Sequence, residues 1–316
     1  MRKQKLIAVV GPTSSGKTAL GIWLAKKIGG EIISADSRQV YKGLNLGTGK
    51  ATPQEMQGVP HHLLNVANPK RQFSADDFTR LGQKAITLIY QSGRLPIIVG
   101  GTGFYVDALL GRLTLPNVPP NPRLRKQLDK KDARELFLQL KKLDPARAKT
   151  IEPNHKRRLI RAIEIARAIG VGTKPSSSPS RTRRSDPGLA PLSRYDVLWL
   201  GLNPAPETLK KNIHARLRAR IKAGMIAEAR TLHAKGLSYK RMEELGLEYK
   251  SLALLLQNKV TKEECMESLE RAIQHYAKRQ VRWFKRNPDI RWIKNPPGSR
   301  AGKSEALRLS KKFIAK

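Results

Sequence analysis

Acidic residues are scarce in this sequence: 25 Asp and Glu stand against 62 Lys and Arg, a formal charge of +37 over 316 residues. So basic a chain is poorly suited to cationic partners. It suits a polyanion, because each neutralised phosphate releases counterions. The charge favours nucleic acid over a small substrate, without saying which nucleic acid. The plainer alternative is a solvated basic surface. Cysteine is nearly lacking too. Cys265 alone excludes an internal disulfide and a Cys-based zinc site, and fits a reducing cytoplasm. No apolar run approaches the roughly 18 residues of a membrane span. The opening MRKQKLIAVV is basic and then apolar, but too short for a signal peptide, and it enters GPTSSGKT with no cleavage pattern. It reads as a first buried strand. A hydrophobic content of 39% suffices for a core, and the length suits one large domain or two smaller ones. There is no internal repeat.

What is present alternates between strand and helix. LIAVV (6–10) and LPIIV (95–99) are short apolar runs of the parallel-strand kind, and EIISA (31–35) is another, ending at Asp36. Helices are expected over 16–28 and 76–93, the second with Phe78, Leu81, Ala85, Leu88 and Ile89 on one face. This order predicts an α/β fold with a parallel sheet flanked by helices. The pattern breaks at the Pro-rich stretch 113–123. Helices follow near 122–131, 132–142 and 153–169, then a Pro/Ser/Arg segment, 173–194, that reads as a mobile loop. YDVLWLGL (195–202) returns to strand character. We therefore expect a catalytic core of 1–114 and 194–294 interrupted by a helical insertion, 115–193, and followed by a basic tail, 295–316, with a frayed helix at its end. Further helices are expected from Glu207 to about Lys235 and from Lys262 to about Arg286, and a last strand at 290–293.

GPTSSGKT (11–18) matches G-x-x-x-x-G-K-[ST] between a strand and a helix, where that motif cradles phosphate. Gly11 and Gly16 allow the turn. Backbone N–H groups from Thr13 through Ser14 and Ser15 to Thr18 are expected to face phosphate oxygens, Lys17 to add charge, and the Thr18 hydroxyl to hold magnesium. Such a loop binds a diphosphate whatever carries it. An ATPase or GTPase also needs an acid at a strand end for its metal, and LPIIV ends in Gly100 and Gly101. Asp36 does end a strand, but it leads into SRQVY. The hydrolase equipment is therefore incomplete.

GPTSSGKT, the block DSRQVYKGLNLGTGKATPQEMQGVPHHLLNV (36–66), FSADDF (73–78) and IIVGGTGFY (97–105), in that order, resemble the tRNA dimethylallyltransferase (tRNA isopentenyltransferase) family. NHKRRLIRAIEI (154–165) and YAKRQVRWFKRNPDIRWI (276–293) extend the resemblance over about 5–294. It implies a P-loop NTPase-like core and a helical insertion that clasps the tRNA anticodon stem-loop. It further implies transfer of dimethylallyl from its diphosphate to the exocyclic amine of the adenosine 3′ to the anticodon, with Mg2+. By motif position, Asp36 matches the general base, and Lys17 and Thr102 match residues at the diphosphate and reacting centre. Asp36, Ser37, Arg38, Gln39 and Thr102 match the stretch on the target nucleotide. The segment Arg157, Arg158, Leu159, Ile160 and Arg161 matches one that faces tRNA, and Arg125 a further contact. A cytoplasmic monomer with no membrane partner is expected. There are departures: Asn45 and Asn65 stand where the family often has Asp, Lys156 and Arg157 where relatives often carry Pro and Gln, and ELGLEYKSL (244–252) replaces a different wording.

The chemistry is coherent with these residues. An adenine amine is a poor nucleophile, and a carboxylate that takes its proton contributes roughly 10²–10⁴-fold. Asp36 can serve so, or can cap a turn or hold magnesium. The Thr102 hydroxyl can donate to a diphosphate oxygen or the base, or cap the helix before FYVDALL. Arg271, His275, Lys278, Arg282 and Lys285 recur every three or four residues and share a helix face. On that face Lys278 and Arg282 are expected to touch RNA, though an ordinary surface helix has the same pattern. His61 and His62 have no third ligand nearby and read as structural. Three rivals remain: a P-loop kinase, a prenyltransferase of free adenine nucleotides, and a non-catalytic RNA-binding protein.

Overall fold

Alternation along the first strand sets the layers. In β1 (Gln4–Val10), Leu6, Ala8 and Val10 enter one apolar cluster, and Ile7 and Val9 another. A strand buried on both faces needs such a continuous apolar run. The computed structural model describes residues 3–169 and 195–316; the Pro/Ser/Arg segment lies outside the described residues.

In chain order, β1 is followed by α1 (Lys17–Ile28), β2 (Gly30–Ser34), α2 (Pro53–Met56), β3 (His61–His62), α3 (Ala75–Gln91), β4 (Leu95–Gly100) and α4 (Gly103–Leu109). Four helices come next: α5 (Pro122–Leu128), α6 (Ala133–Leu143), α7 (Pro145–Ala148) and α8 (Lys156–Ile169). Then come β5 (Tyr195–Gly201), α9 (Pro206–Lys222), α10 (Met225–Ala234), α11 (Tyr239–Leu245), α12 (Leu247–Leu256), α13 (Lys262–Phe284), β6 (Arg291–Trp292) and α14 (Arg300–Ala315). The six strands form one parallel sheet in the order β3-β2-β4-β1-β5-β6. All strands point the same way, so Gly11, Asp36 and the Gly101–Thr102 turn all follow C-terminal strand ends at one edge, where ligands bind in such sheets.

The expected strands are present, and the structure adds the short edge strand at His61–His62, in register with Ile32 and Ile33. The long helix expected from Glu207 is two helices. Gly224, at φ 102°, starts the second one, and only glycine adopts that angle without strain. On α3, Phe78, Ala85, Ile86 and Ile89 are buried, whereas Leu88 is exposed.

The chain divides into two compact units, Met1–Leu113 with Gly188–Lys316, and Thr114–Pro187. In the smaller unit, Leu124, Leu128, Leu136, Leu140, Ile151, Leu159, Ile160 and Ile163 form a separate core. The basic C-terminal stretch forms α14 over Arg300–Ala315, packed along most of its length rather than frayed. Its small residues Gly302, Ala306 and Ser310, four apart, are buried on one side of α14, and Leu307, Leu309 and Phe313 pack on the cluster that also covers α1. A Cβ at Gly302 would collide with the Pro296 carbonyl. Lys5 Nζ reaches the Ile314 carbonyl at 2.8 Å, fastening α14 to the first strand. Arg300, Arg308, Lys311 and Lys312 are exposed, whereas Lys303 is half-buried with its Nζ 5.9 Å from the centre of the Trp23 ring on α1.

Candidate active site

The phosphate loop takes its shape from a few backbone angles. Gly11 has φ 153°, and a Cβ there would stand 2.6 Å from the Leu202 carbonyl. Ser14 and Gly16 have φ 60° and 85°. The first intrahelical bond of α1 runs from the Leu20 N–H to the Gly16 carbonyl. The amides before it, those of Lys17 and Thr18 among them, therefore remain for an anion at the positive end of the helix dipole. The Ser15 hydroxyl is buried with no protein partner, as a phosphate oxygen would require. The Thr13 N–H differs from expectation. It donates to Gln280 Oε1 at 2.8 Å and is not offered to phosphate.

Lys17 donates to the Pro12 carbonyl at 3.0 Å. Burial pushes its ammonium down to about 8, against the pull of Asp36 and with the push of Arg216. A bound polyanion would raise it again. Arg216, on α9, places Nη2 2.8 Å from the Gly49 carbonyl, and its Nη1 is 3.5 Å from Thr13 Oγ1. Thr13, Lys17, Thr18, Asp36, Gln39 and Arg216 line one cavity, completed on its apolar side by Ile32, Leu64 and Val99.

Asp36 follows β2 and turns the chain. Its Oδ1 accepts from the Arg38 N–H at 2.8 Å and the Gln39 N–H at 3.3 Å, while no described residue hydrogen-bonds Oδ2. The acid thus closes an Asx-type turn and keeps one oxygen for a ligand. Gln39 is tied down: its Oε1 accepts from Ser34 Oγ at 3.1 Å, and its amide nitrogen lies 3.4 Å from the Gly49 carbonyl. Thr102 occupies the N-cap position of α4, but its hydroxyl makes no cap bond. Instead Oγ1 accepts from the Ser37 N–H at 3.0 Å, and the Thr102 N–H donates to the Ala35 carbonyl at 3.2 Å. The two loops are stitched together, and the Tyr276 hydroxyl lies within reach of Thr102 as well, its pKa pushed up to about 12 by burial and then by Asp36.

A second layer holds the block after Asp36. Glu228 on α10 accepts from the N–H groups of Asn45, Leu46 and Gly47 at 3.0, 2.7 and 2.8 Å, and from the Tyr249 hydroxyl at 2.7 Å. Lys50 donates to the Tyr41 carbonyl, Asn45 Oδ1 and Asn65 Oδ1 at 2.9, 3.1 and 2.6 Å. Burial lowers it to about 8, against the pull of Glu228 and Asp36. The two asparagines that depart from the family pattern are thus neutral acceptors for one buried lysine. His62 Nε2 lies 2.6 Å from Glu31. His61 Nδ1 donates to the Val59 carbonyl at 2.8 Å, while its Nε2 is buried without a partner among the described residues and the ring lines the cavity. No group of three or more His, Cys, Asp or Glu suited to a metal exists among the described residues.

Several expected RNA contacts have other work. Leu159 and Ile160 lie in the core of the smaller unit. Arg125 meets buried Glu164 through Nε and Nη2 at 2.9 and 2.8 Å, and Arg161 bonds both Glu164 and the Val118 carbonyl. Burial alone would raise the Glu164 carboxyl, but these bonds and the Asn121 N–H outweigh it and hold the group at about 2. Arg157 is exposed, and Arg158 pairs only with exposed Glu152 at 3.1 Å. Arg271, His275, Lys278, Arg282 and Lys285 are all exposed on one side of α13 or just past its end. Sequence reasoning missed Arg216, Tyr276 and Gln280. The one available signal was the spacing of Tyr276, Gln280 and Trp283, which places them on a shared face of α13 beside the core stripe.

A family model described as IPP transferase matches residues 39–287. The chain is 38% identical over 296 residues to a tRNA dimethylallyltransferase of Halalkalibacterium halodurans, covering 92% of this chain and 91% of that protein. It is 40% identical over 295 residues to one of Geobacillus thermodenitrificans, covering 92% and 90%. Among solved structures it resembles a full-length tRNA isopentenylpyrophosphate transferase from Bacillus halodurans, with TM-score 0.70, 34% identity and coverage of 99% and 96%. It also resembles a eukaryotic dimethylallyltransferase acting on tRNA, with TM-score 0.79, 27% identity and coverage of 99% and 80%.

Proposed function

The chain belongs to the IPP transferase family, that of the tRNA dimethylallyltransferases, and from that footing we propose how its own residues move a dimethylallyl group onto a tRNA adenosine. The acceptor is the exocyclic amine of the adenosine 3′ to the anticodon. The observation that carries the reading is a lone carboxylate, Asp36, lining the same cavity as the phosphate-loop lysine.

The diphosphate of the donor lies on the Lys17 and Thr18 amides, with the Ser15 hydroxyl, Lys17 and Arg216 around it. The dimethylallyl group rests against Ile32, Leu64 and Val99. The adenine, drawn out of its stack, brings its amine to Asp36. The nitrogen lone pair attacks the allylic carbon, the carbon–oxygen bond to diphosphate breaks, and Asp36 takes the amine proton. Negative charge then grows on the diphosphate, where fixed cations and amides await it. Thr102, its oxygen already accepting from Ser37, has its own proton to donate to a ligand. The donor set suits Mg2+ held by the Thr18 hydroxyl and chiefly by diphosphate oxygens and water, as this ion prefers; when bound, it would neutralise leaving-group charge.

The test is to incubate the protein with unmodified tRNA and labelled dimethylallyl diphosphate, with and without Mg2+, and map the labelled nucleotide. Brisk ATP turnover without tRNA, and no transfer, would favour a kinase. Among the described residues Asp36 is the sole carboxylate lining the cavity, which speaks against the second metal-holding acid of a hydrolase.

The exposed cations are proposed as phosphate contacts: Arg157 and Arg158 on the smaller unit, Lys278 and Arg282 on the larger. Arg157→Ala with Arg158→Ala is expected to flatten the salt dependence of tRNA affinity by about 0.7–0.9 log unit per lost contact. Donor affinity should stay unchanged. Arg161 is left in place because it serves Glu164. An unaltered salt slope would remove these two arginines from the interface.

A further inference from the structure

Helix α13 carries the exposed cations on one side and packs Leu269, Ile273, Ala277 and Phe284 into the core on the other. Tyr276 and Trp283 lie at the edge of the buried side and Gln280 within it. These three side chains meet the active-site loops. Trp283 Nε1 donates to Asp107 at 2.8 Å and its ring covers Gly103, where a Cβ would strike it. Tyr276 reaches Thr102. Both therefore dock α13 on the turn after β4, the acceptor side of the site. Gln280 alone of the three also reaches the donor side.

Gln280 is 5% exposed. Its Oε1 accepts from the Thr13 N–H at 2.8 Å, and its Nε2 donates to the Gly101 carbonyl at 2.8 Å. An amide N–H can only donate and a carbonyl can only accept, so the partners themselves fix which end of the side chain is which. A Cβ at Gly101 would collide with Gln280 Nε2, so a side chain there would displace the amide. One planar amide thus sets the separation between the phosphate loop and the turn that carries Thr102, which in turn holds Ser37 beside Asp36.

We propose that Gln280 is a positioning residue for the transfer: it holds the donor loop and the acceptor loop in register. This rests on the function proposed above. It touches no substrate. Its effect is on alignment, and a misplacement of about 1 Å between reacting groups costs on the order of 10²-fold in rate. It also ties that alignment to a helix whose outer side is the proposed seat of tRNA.

The test uses the full chain, two variants and single-turnover kinetics. Gln280→Ala removes both bonds and is expected to slow transfer by roughly 10–100-fold. Dissociation constants for tRNA and dimethylallyl diphosphate should stay within about 3-fold of wild type, the spread expected when binding contacts remain. Gln280→Glu is more discriminating. Its protonated carboxyl presents one donor and one acceptor and reproduces the clip. Its ionised form accepts from Thr13 but repels the Gly101 carbonyl. Burial raises such a carboxyl towards neutrality, so the transfer rate of Q280E should fall as pH rises from about 5.5 to 8, while the wild-type rate does not fall. Melting temperature checks that each variant is folded; should Q280A unfold, the pH profile of Q280E decides alone. Wild-type rates in both variants would overturn the proposal, as would losses confined to substrate affinity or melting temperature. A wild-type protein that fails to label tRNA in the same assay would instead sink the proposed function.

Discussion

Asp36→Asn is expected to slow the transfer step by roughly 10²–10⁴-fold, the range typical of a lost general base, with little change in the affinity for tRNA. The local geometry makes this substitution clean. Asp36 Oδ1 accepts from the Arg38 and Gln39 N–H groups, and an asparagine oxygen accepts the same two bonds. The turn therefore survives, and Ser37 still reaches Thr102. What disappears is the ability to receive the amine proton. The negative charge also disappears, and Asp36 is among the groups that hold the Lys17 pKa up. Donor binding should thus weaken modestly above neutral pH, so the comparison belongs at pH 7 or below. Single-turnover rates and dissociation constants on one preparation separate the effects. Transfer near the wild-type rate would make Asp36 a structural cap. Loss of magnesium-dependent donor binding would assign it to the metal.

The second large effect is on stability. Glu164→Ala is expected to destabilise the smaller unit by about 3–5 kcal/mol, the range for breaking a buried pair by removal of one partner. Glu164 is 1% exposed and receives bonds from Arg125, Arg161 and the Asn121 N–H. Without it, two half-buried guanidinium groups lose their anion. Wild-type protein should show the same dependence as acid lability. The folded carboxyl sits at about 2 against an ordinary 4.5. A depressed carboxyl contributes its stability in full above the ordinary value and loses it as pH falls through the folded one. The contribution is on the order of 3 kcal/mol. It should fade between about pH 4.5 and 2, read by urea denaturation or by amide exchange in α5, α6 and α8. Exchange in those helices that is insensitive to both the substitution and acid would show that the ion cluster does not hold the unit.

How much of this was readable beforehand depended on whether the signal was local. The phosphate loop and the strand ends declare themselves through short patterns, because a strand, a glycine turn and a helix start need only neighbouring residues. Asp36 is legible at a strand end for that reason. The insertion helix shows the limit of a motif. The segment Arg157 to Arg161 matches one that faces tRNA as a block, yet a helix turns about 100° per residue. Arg157 and Arg158 therefore point outward while Leu159 and Ile160 are buried. Reading the spacing of Leu159, Ile160 and Ile163 as an apolar stripe would have separated them. Arg125 and Arg161 were hidden differently: both depend on Glu164, one of them from 39 residues away. Gln280 and Arg216 reach their partners across 267 and 167 residues; beyond the helical spacing that Gln280 shares with Tyr276 and Trp283, nothing in KRQVRW or ARLRAR marks one polar side chain above its neighbours. The C-terminal stretch is legible as basic with a helix at its end, but its packing depends on the fourfold spacing of Gly302, Ala306 and Ser310, which charge does not reveal.

The sheet order carries a consequence for how the chain is made. β1 lies between β4 and β5, and residues 4–10 pair along their whole length with 195–201. When β4 has left the ribosome, one edge of the central strand is still open, and it stays open while roughly 95 further residues are synthesised, on the order of 5–20 s at usual elongation rates. The smaller unit lies within that interval and has its own core, so it can fold while the first strand waits. The waiting edge is Leu-Ile-Ala-Val-Val, an apolar row of unpaired backbone groups and a ready template for another chain. Nascent protein should therefore be most prone to aggregate, and most dependent on chaperones, between the emergence of residue 100 and that of residue 201.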